Sequence, residues 1–124
     1  MPALRDSARL LDNLGQGHLV AGKITATAGT LAALSSNDPT ATLTRNAAGD
    51  YTVTFGQAFL AAPIVASGTV EATFATTEES GIQVVSVTTT AIRFNVVRNV
   101  TTGTVTALAD SADFHFMVFG QRDN

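Results

Sequence analysis

Cysteine is absent from the 124 residues, which excludes disulfides and thiolate metal sites. Charge is scarce as well. Asp, Glu, Lys and Arg make up 14% of the chain, against roughly a quarter in an average soluble domain. Hydrophobic residues reach 45%, and much of the remainder is threonine. A surface with so few charges is expected to be partly hidden against other chains, by self-association or by docking on a larger assembly. The seven basic residues are scattered and the net charge is −3, so the basic stripe that neutralises phosphates is missing and nucleic acid is not an expected partner. No apolar run approaches the ~20 residues of a helical membrane span, and no membrane partner is expected. The first twenty residues lack the continuous apolar stretch of a signal peptide, so export by the Sec route is not expected either.

A chain of this length supports one core. Within it, residues 1–20 (MPALRDSARLLDNLGQGHLV) differ from 21–124 and read as an N-terminal arm or short helix. Leu4, Leu11 and Leu14 fall near helical spacing, Asp6 or Ser7 can cap, and Gly15 and Gly17 can stop the turn. So short a helix is marginal alone, so the arm must lean on its own domain or on a neighbouring subunit.

From Gly22 onward, alternation punctuated by turn residues replaces the helical pattern. Candidate strands are KITATA (23–28), TATLTR (40–45), YTVTF (51–55), a run opened by Pro63 (PIVASGTVE), IQVVSV (82–87), AIRFNVV (91–97), TTGTVTAL (101–108) and FHFMVF (114–119). In YTVTF, Tyr51, Val53 and Phe55 share one face and Thr52 and Thr54 the other. NAAGD (46–50) reads as a hairpin connection with Gly49 available for positive φ, SSNDP as a turn cluster, TTEESG as a turn and Thr88–Thr90 as a corner. FHFMVF is apolar on both faces, so a central strand covered on both sides is expected. About eight strands at spacings of roughly 8–12 residues predict an all-β fold, an antiparallel, jelly-roll-like sandwich over 21–124.

Candidate chemistry is thin. His18 and His115 are the only imidazoles, and a zinc centre needs three or four ligands, so they read as structural or interface residues. Glu78 and Glu79 are adjacent in a turn, without the cleft that sets two carboxyls about 5–9 Å apart across a glycosidic bond. Asp110 and Asp113 in ADSAD are oxygen ligands suited to Ca²⁺, though an ordinary turn accounts for them. None of the serines, Ser35, Ser36, Ser67, Ser80, Ser86 or Ser111, sits in a GxSxG elbow. Asn99–Val100–Thr101 matches the glycosylation sequon, which a chain that is not exported does not use. The expectation is therefore a protein that is not an enzyme and carries no cofactor or metal. Thr52, Thr54, His115 and Met117 are candidate oligomer-interface residues.

The order GDYTVTFGQAF, APIVASGTV, IQVVSVTTTAIRFNVV and DFHFMVFGQ, over about Thr40 to Gln121, resembles a module of tailed-bacteriophage virion proteins of the capsid decoration, or cement, type. A similar order occurs in the trimeric H-type lectins, whose sugar-binding residues find no matching positions here; a tail- or fibre-associated or carbohydrate-binding module is the alternative. The decoration resemblance implies a virion protein on the capsid surface, a homotrimer that binds the major capsid protein and bridges its subunits. It also implies that the arm, through Leu4, Arg5, Arg9, Leu10, Leu11 and Leu14, makes the contact with the shell.

Overall fold

The computed structural model describes residues 17–63, 65–71, 78–100 and 106–122. Alternating side chains fold into nine strands among them. These are β1 (Gly17–Ile24), β2 (Leu34–Ser36), β3 (Thr42–Ala47), β4 (Asp50–Thr54), β5 (Val65–Glu71), β6 (Glu78–Val87), β7 (Ala91–Val100), β8 (Thr106–Leu108) and β9 (Asp113–Gln121). Every pairing is antiparallel. Sheet I has the order β2-β1-β9-β5 and sheet II the order β3-β4-β7-β6, giving the all-β sandwich that the alternation predicts. β8 pairs with β7 on the edge that β4 also uses, further along the strand, so β4 and β8 lie end to end.

Period-two alternation decides what goes inside. Tyr51 and Val53 of β4, Ile92, Phe94 and Val96 of β7, Val20 and Ile24 of β1, and Phe114, Phe116 and Val118 of β9 are buried between the sheets, with Phe55 and Phe59 beside them. Burying each large apolar side chain contributes about 1.5–3 kcal/mol. The rings interlock across the gap: Phe94 lies 5.2 Å from Phe114 and 5.5 Å from Phe116, and Tyr51 meets Phe114 edge-on at 6.0 Å. Gly22 makes this packing possible, since a Cβ there would come within 2.6 Å of the Ser35 carbonyl and 3.1 Å of the Phe116 ring. Gly49 has φ 69° in the β3–β4 turn, as its place in NAAGD predicts, and a Cβ there would meet the Ala109 nitrogen at 2.5 Å.

Several boundaries differ from the sequence reading. KITATA is not one strand: β1 begins at Gly17 and stops at Ile24, and Ala26–Leu31 form 3₁₀ turns kinked at Gly29. The cause lies far away in sequence, because Asp113 Oδ1 accepts from the Thr27 amide (2.9 Å) and from Thr27 Oγ1 (2.7 Å), drawing this stretch off the sheet line. Glu78 and Glu79 belong to the backbone of β6, not to a turn, because the β6–β7 ladder runs out to Glu78 opposite Val100. Ser35 and Ser36 join Leu34 in β2, a three-residue strand too short for a period to announce. The expected strand over 101–108 is seen as Thr106–Leu108; 101–105 lie outside the described residues.

The arm boundary drawn after residue 20 falls inside β1, whose first four residues pair with Val118 to Gln121. Leu4, Arg5, Arg9, Leu10, Leu11 and Leu14 all lie outside the described residues. A chain starting at Ala21 is therefore expected to be less stable than one starting at Gly17, by about 2–3 kcal/mol for the lost burial of Val20 and the lost ladder. Urea unfolding of the two truncations measures the difference.

Candidate interaction face

The sandwich has two outer faces of unlike character. On sheet II, the row Thr44–Thr52–Arg93 crosses β3, β4 and β7. Its polar groups satisfy each other: Arg93 clasps Asp50 with bonds of 2.9 and 2.6 Å, and Asn46 Nδ2 donates to Asp50 (3.1 Å) and to Thr52 Oγ1 (2.8 Å). The Arg93 guanidinium, helped by Asn46, holds the Asp50 carboxyl below its ordinary range, outweighing burial.

Sheet I presents the odd-numbered residues of β9 outward, and register builds three cross-strand rows on them. These are Leu19–Phe119–Val65, then Ala21–Met117–Ser67, then Lys23–His115–Thr69. The first row and Met117 are apolar yet open to solvent, with Leu19 47%, Val65 49%, Phe119 44% and Met117 43% exposed. β9 is thus central in its sheet, as FHFMVF predicts, but its outer side is not covered by any of the described residues. The third row is polar. Glu71 reaches over β9 and accepts from Lys23 Nζ at 2.9 Å and from His115 Nε2 at 2.7 Å. Lys23 first, then His115, lowers the Glu71 pKa, and Glu71 in turn raises that of Lys23.

Between the rows lies an open depression of about 500 Å³, floored by small residues of β1, β2 and β5 and bordered by His115 and Met117. Asn37 fixes its β2 wall, donating to the Leu19 carbonyl (2.7 Å), accepting from the Ala21 amide (2.8 Å) and joining its own amide to the Ala21 carbonyl (3.1 Å). Ser36 Oγ also donates to the Ala21 carbonyl. These contacts tie β2 and the residue after it to β1.

The sequence-level candidates do not converge on one surface. Thr52 and Thr54 face outward from sheet II, His115 and Met117 from sheet I, on opposite sides of the molecule. Asp110 and Asp113 do not converge on a cation either. Asp110 accepts from Arg45, Tyr51 and the Gly49 amide, while Asp113 binds Thr27. Both oxygens of Asp110 and Oδ1 of Asp113 are occupied by protein donors. Among the described residues, no group of three or more His, Asp or Glu is placed to hold a metal. Ser80 and Ser111 hydrogen-bond to each other at 2.8 Å.

Leu19, Phe119, Lys23 and Glu71 were not singled out from the sequence, and Val65, which the apolar run after Pro63 marks as a residue to bury, faces outward instead because its register on β9 sets it opposite Phe119. Period two from His115 and Met117 already points to Phe119. Leu19 and Val65 join it only through pairing with β9. No family model, curated protein or solved structure matches this chain.

Proposed function

We propose that this chain is a non-catalytic structural protein of a phage virion, a decoration protein that docks on the outer surface of the capsid, assembles with copies of itself as a trimer and bridges shell subunits. The observation that carries the assembly part is the apolar row Leu19–Phe119–Val65, with Met117, on the outer side of sheet I, where none of the described residues covers it. Exposed contiguous apolar surface of this kind marks an interaction site. The capsid as partner rests on the resemblance of the strand order to virion modules.

Size sharpens the proposal. Strand spacing and rise make the face of sheet I roughly 19 by 23 Å, about 440 Å² in projection, against about 800 Å² per partner in a standard interface. One such face is a weak contact. A decoration protein needs more than one, supplied by the copies in a trimer and by the leader residues Leu4, Arg5, Arg9, Leu10, Leu11 and Leu14 on the capsid protein. Linked weak contacts multiply into firm attachment without any single strong one.

Phe119→Lys is the direct test. The site is half-exposed on the outer face, so the fold should hold, with stability changing by under about 0.5 kcal/mol. Co-sedimentation with capsids should weaken by tenfold or more, about 1.4 kcal/mol. Undiminished binding refutes the face. If the chain instead binds glycans on an array and ignores capsids, the lectin-like alternative takes its place.

A further inference from the structure

The polar end of sheet I carries a row that crosses all four strands. Register sets Ser35 of β2, Lys23 of β1, His115 of β9 and Thr69 of β5 side by side, and the next outward row brings Ala21, Met117 and Ser67. Side chains directly opposite one another share a face, so both rows line the open depression of about 500 Å³. The four strands span about 14 Å, and successive outward rows stand about 7 Å apart. Glu71 stands at the rim, tied to two of the lining residues.

Two kinds of polar group converge there. Glu71 accepts from Lys23 Nζ at 2.9 Å and from His115 Nε2 at 2.7 Å, so the three side chains hold one another in place. An ammonium has three donors and a carboxylate about four lone-pair positions, so Lys23 keeps donors and Glu71 keeps acceptors beyond these bonds. The hydroxyls of Ser35, Ser67 and Thr69 make no hydrogen bond to any of the described residues, and each can both donate and accept. Charge narrows the ligand. An anion meets Glu71, with Asp113 paired beside it on β9, and a cation meets Lys23. A neutral molecule rich in hydroxyls meets neither obstacle. Lys23 and Glu71, a donor beside an acceptor, match two neighbouring hydroxyls of a sugar ring, and such charge-assisted bonds are roughly twice as strong as neutral ones. The C–H face of the same ring is apolar and fits Met117, which is half-exposed, with the small side chain of Ala21 beside it.

We propose that the depression on sheet I binds a short neutral oligosaccharide, with Glu71 and Lys23 holding adjacent hydroxyls of one ring, Met117 under its C–H face, and Ser35, Ser67 and Thr69 taking hydroxyls along the row. The length of the row accommodates more than one ring, which is why the ligand is an oligosaccharide and not a single sugar. The site shares only Met117 with the apolar surface that includes the Leu19–Phe119–Val65 row, and it does not rest on the decoration reading. A single ring, buried on one side only, is held weakly, with a Kd of about 1 mM. Copies assembled together on a glycan-bearing surface bind more firmly by avidity.

The test applies the full-length chain to an array of neutral and acidic, sialylated glycans, with a neutral alanine–serine peptide spotted beside them. At least one neutral oligosaccharide should be retained above both the sialylated glycans and the peptide. Glu71→Ala removes the shared acceptor and Ser67→Trp fills the depression. Each should weaken retention of that glycan by tenfold or more, about 1.4 kcal/mol, while Thr54→Lys on the opposite face leaves it unchanged. Urea midpoints check that the variants fold like the parent chain, and if one of the two unfolds the other decides. Failure to retain any neutral glycan overturns the proposal, as does a preference for the sialylated ones. Equal retention of the peptide overturns it too and gives the depression to a polypeptide. Retention that survives both substitutions places the glycan elsewhere and is equally fatal. No capsid is present in the assay. A failure of capsid binding therefore leaves the sugar site standing, and failure on the array leaves the decoration role open.

Discussion

Replacing Phe94 with alanine is expected to remove about 4 kcal/mol of stability. Phe94 is fully buried on β7, where it pairs with Tyr51 of β4 on one side and Val84 of β6 on the other. Its ring crosses the gap to Phe114 and Phe116 of β9, so one side chain links the centre of sheet II to the centre of sheet I. Truncation loses the transfer energy of the ring and leaves a cavity walled by other aromatic rings. Those rings are held by two sheets and collapse poorly into it, which puts the cost in the upper half of the usual range. A domain of this size has about 5–15 kcal/mol in total, so the variant should be near the edge of folding at 37 °C. Urea midpoints read the effect. A loss below about 1.5 kcal/mol would mean that the core does not depend on the inter-sheet aromatic stack.

Asp110→Ala is expected to cost about 3 kcal/mol, by a different route. Asp110 lies between β8 and β9 and is the shared acceptor of three donors: the Arg45 guanidinium at 2.6 Å, the Gly49 amide at 2.9 Å, and the Tyr51 hydroxyl. The hydroxyl also lies 3.2 Å from the Ala26 carbonyl, but its one proton goes to the charged carboxylate. The substitution strands the Gly49 amide and the Arg45 guanidinium at the junction where the β3–β4 turn meets the start of the last strand, while the Tyr51 hydroxyl falls back on the Ala26 carbonyl. Arg45 keeps 26% of its side-chain surface exposed, so water recovers part of its loss. That discount places the figure at the lower end for a broken buried pair.

The same network sets an acid limit. Burial pushes the Asp110 carboxyl up, but the bonds from Arg45, Tyr51 and the Gly49 amide outweigh it and hold the group below its ordinary value of 3.8. Burial likewise opposes Asp38, whose carboxyl is held down by the Gly56 amide, Arg122 and Thr40, and Asp50 is held down by Arg93. A carboxyl whose folded pKa is depressed contributes stability above its unfolded pKa and loses it as the pH falls through the folded value. Melting temperature should therefore stay nearly level from about pH 7 to pH 5 and fall below about pH 4. Asp110→Ala should shrink that fall, since one of the three carboxyls is gone. An unchanged acid slope would separate Asp110 from the acid limit. Tyr51 has the opposite sign. Burial first, then Asp110, raises its phenol, so its stabilising effect is fully present below the ordinary value of 10.0 and is lost progressively as pH rises above it.

Much of the fold was legible from short stretches. In YTVTF the period of two placed Tyr51, Val53 and Phe55 inside, because successive strand side chains point to opposite faces whatever the rest of the chain does. Gly49 in NAAGD marked its turn because the backbone there takes a positive φ, which glycine tolerates best. FHFMVF marked the centre of a sheet through its double-sided apolar pattern. The local signal failed where a distant residue decided the outcome. Thr27 left the sheet line because of Asp113, and Glu78 and Glu79 entered a strand because β7 was long enough to pair with them.

The candidate face divides the same way. Met117 and Phe119 stand on one side of β9 by alternation alone, which the order of residues determines by itself. That Leu19 and Val65 flank Phe119, that Glu71 spans β9 to reach both Lys23 and His115, and that Thr52 faces away from all of them, were decided only by tertiary structure. Alternation repeats over neighbouring residues and can be read locally. Register joins strands such as β1 and β9, about a hundred residues apart, and is settled only when the inward side chains of both sheets find a common packing.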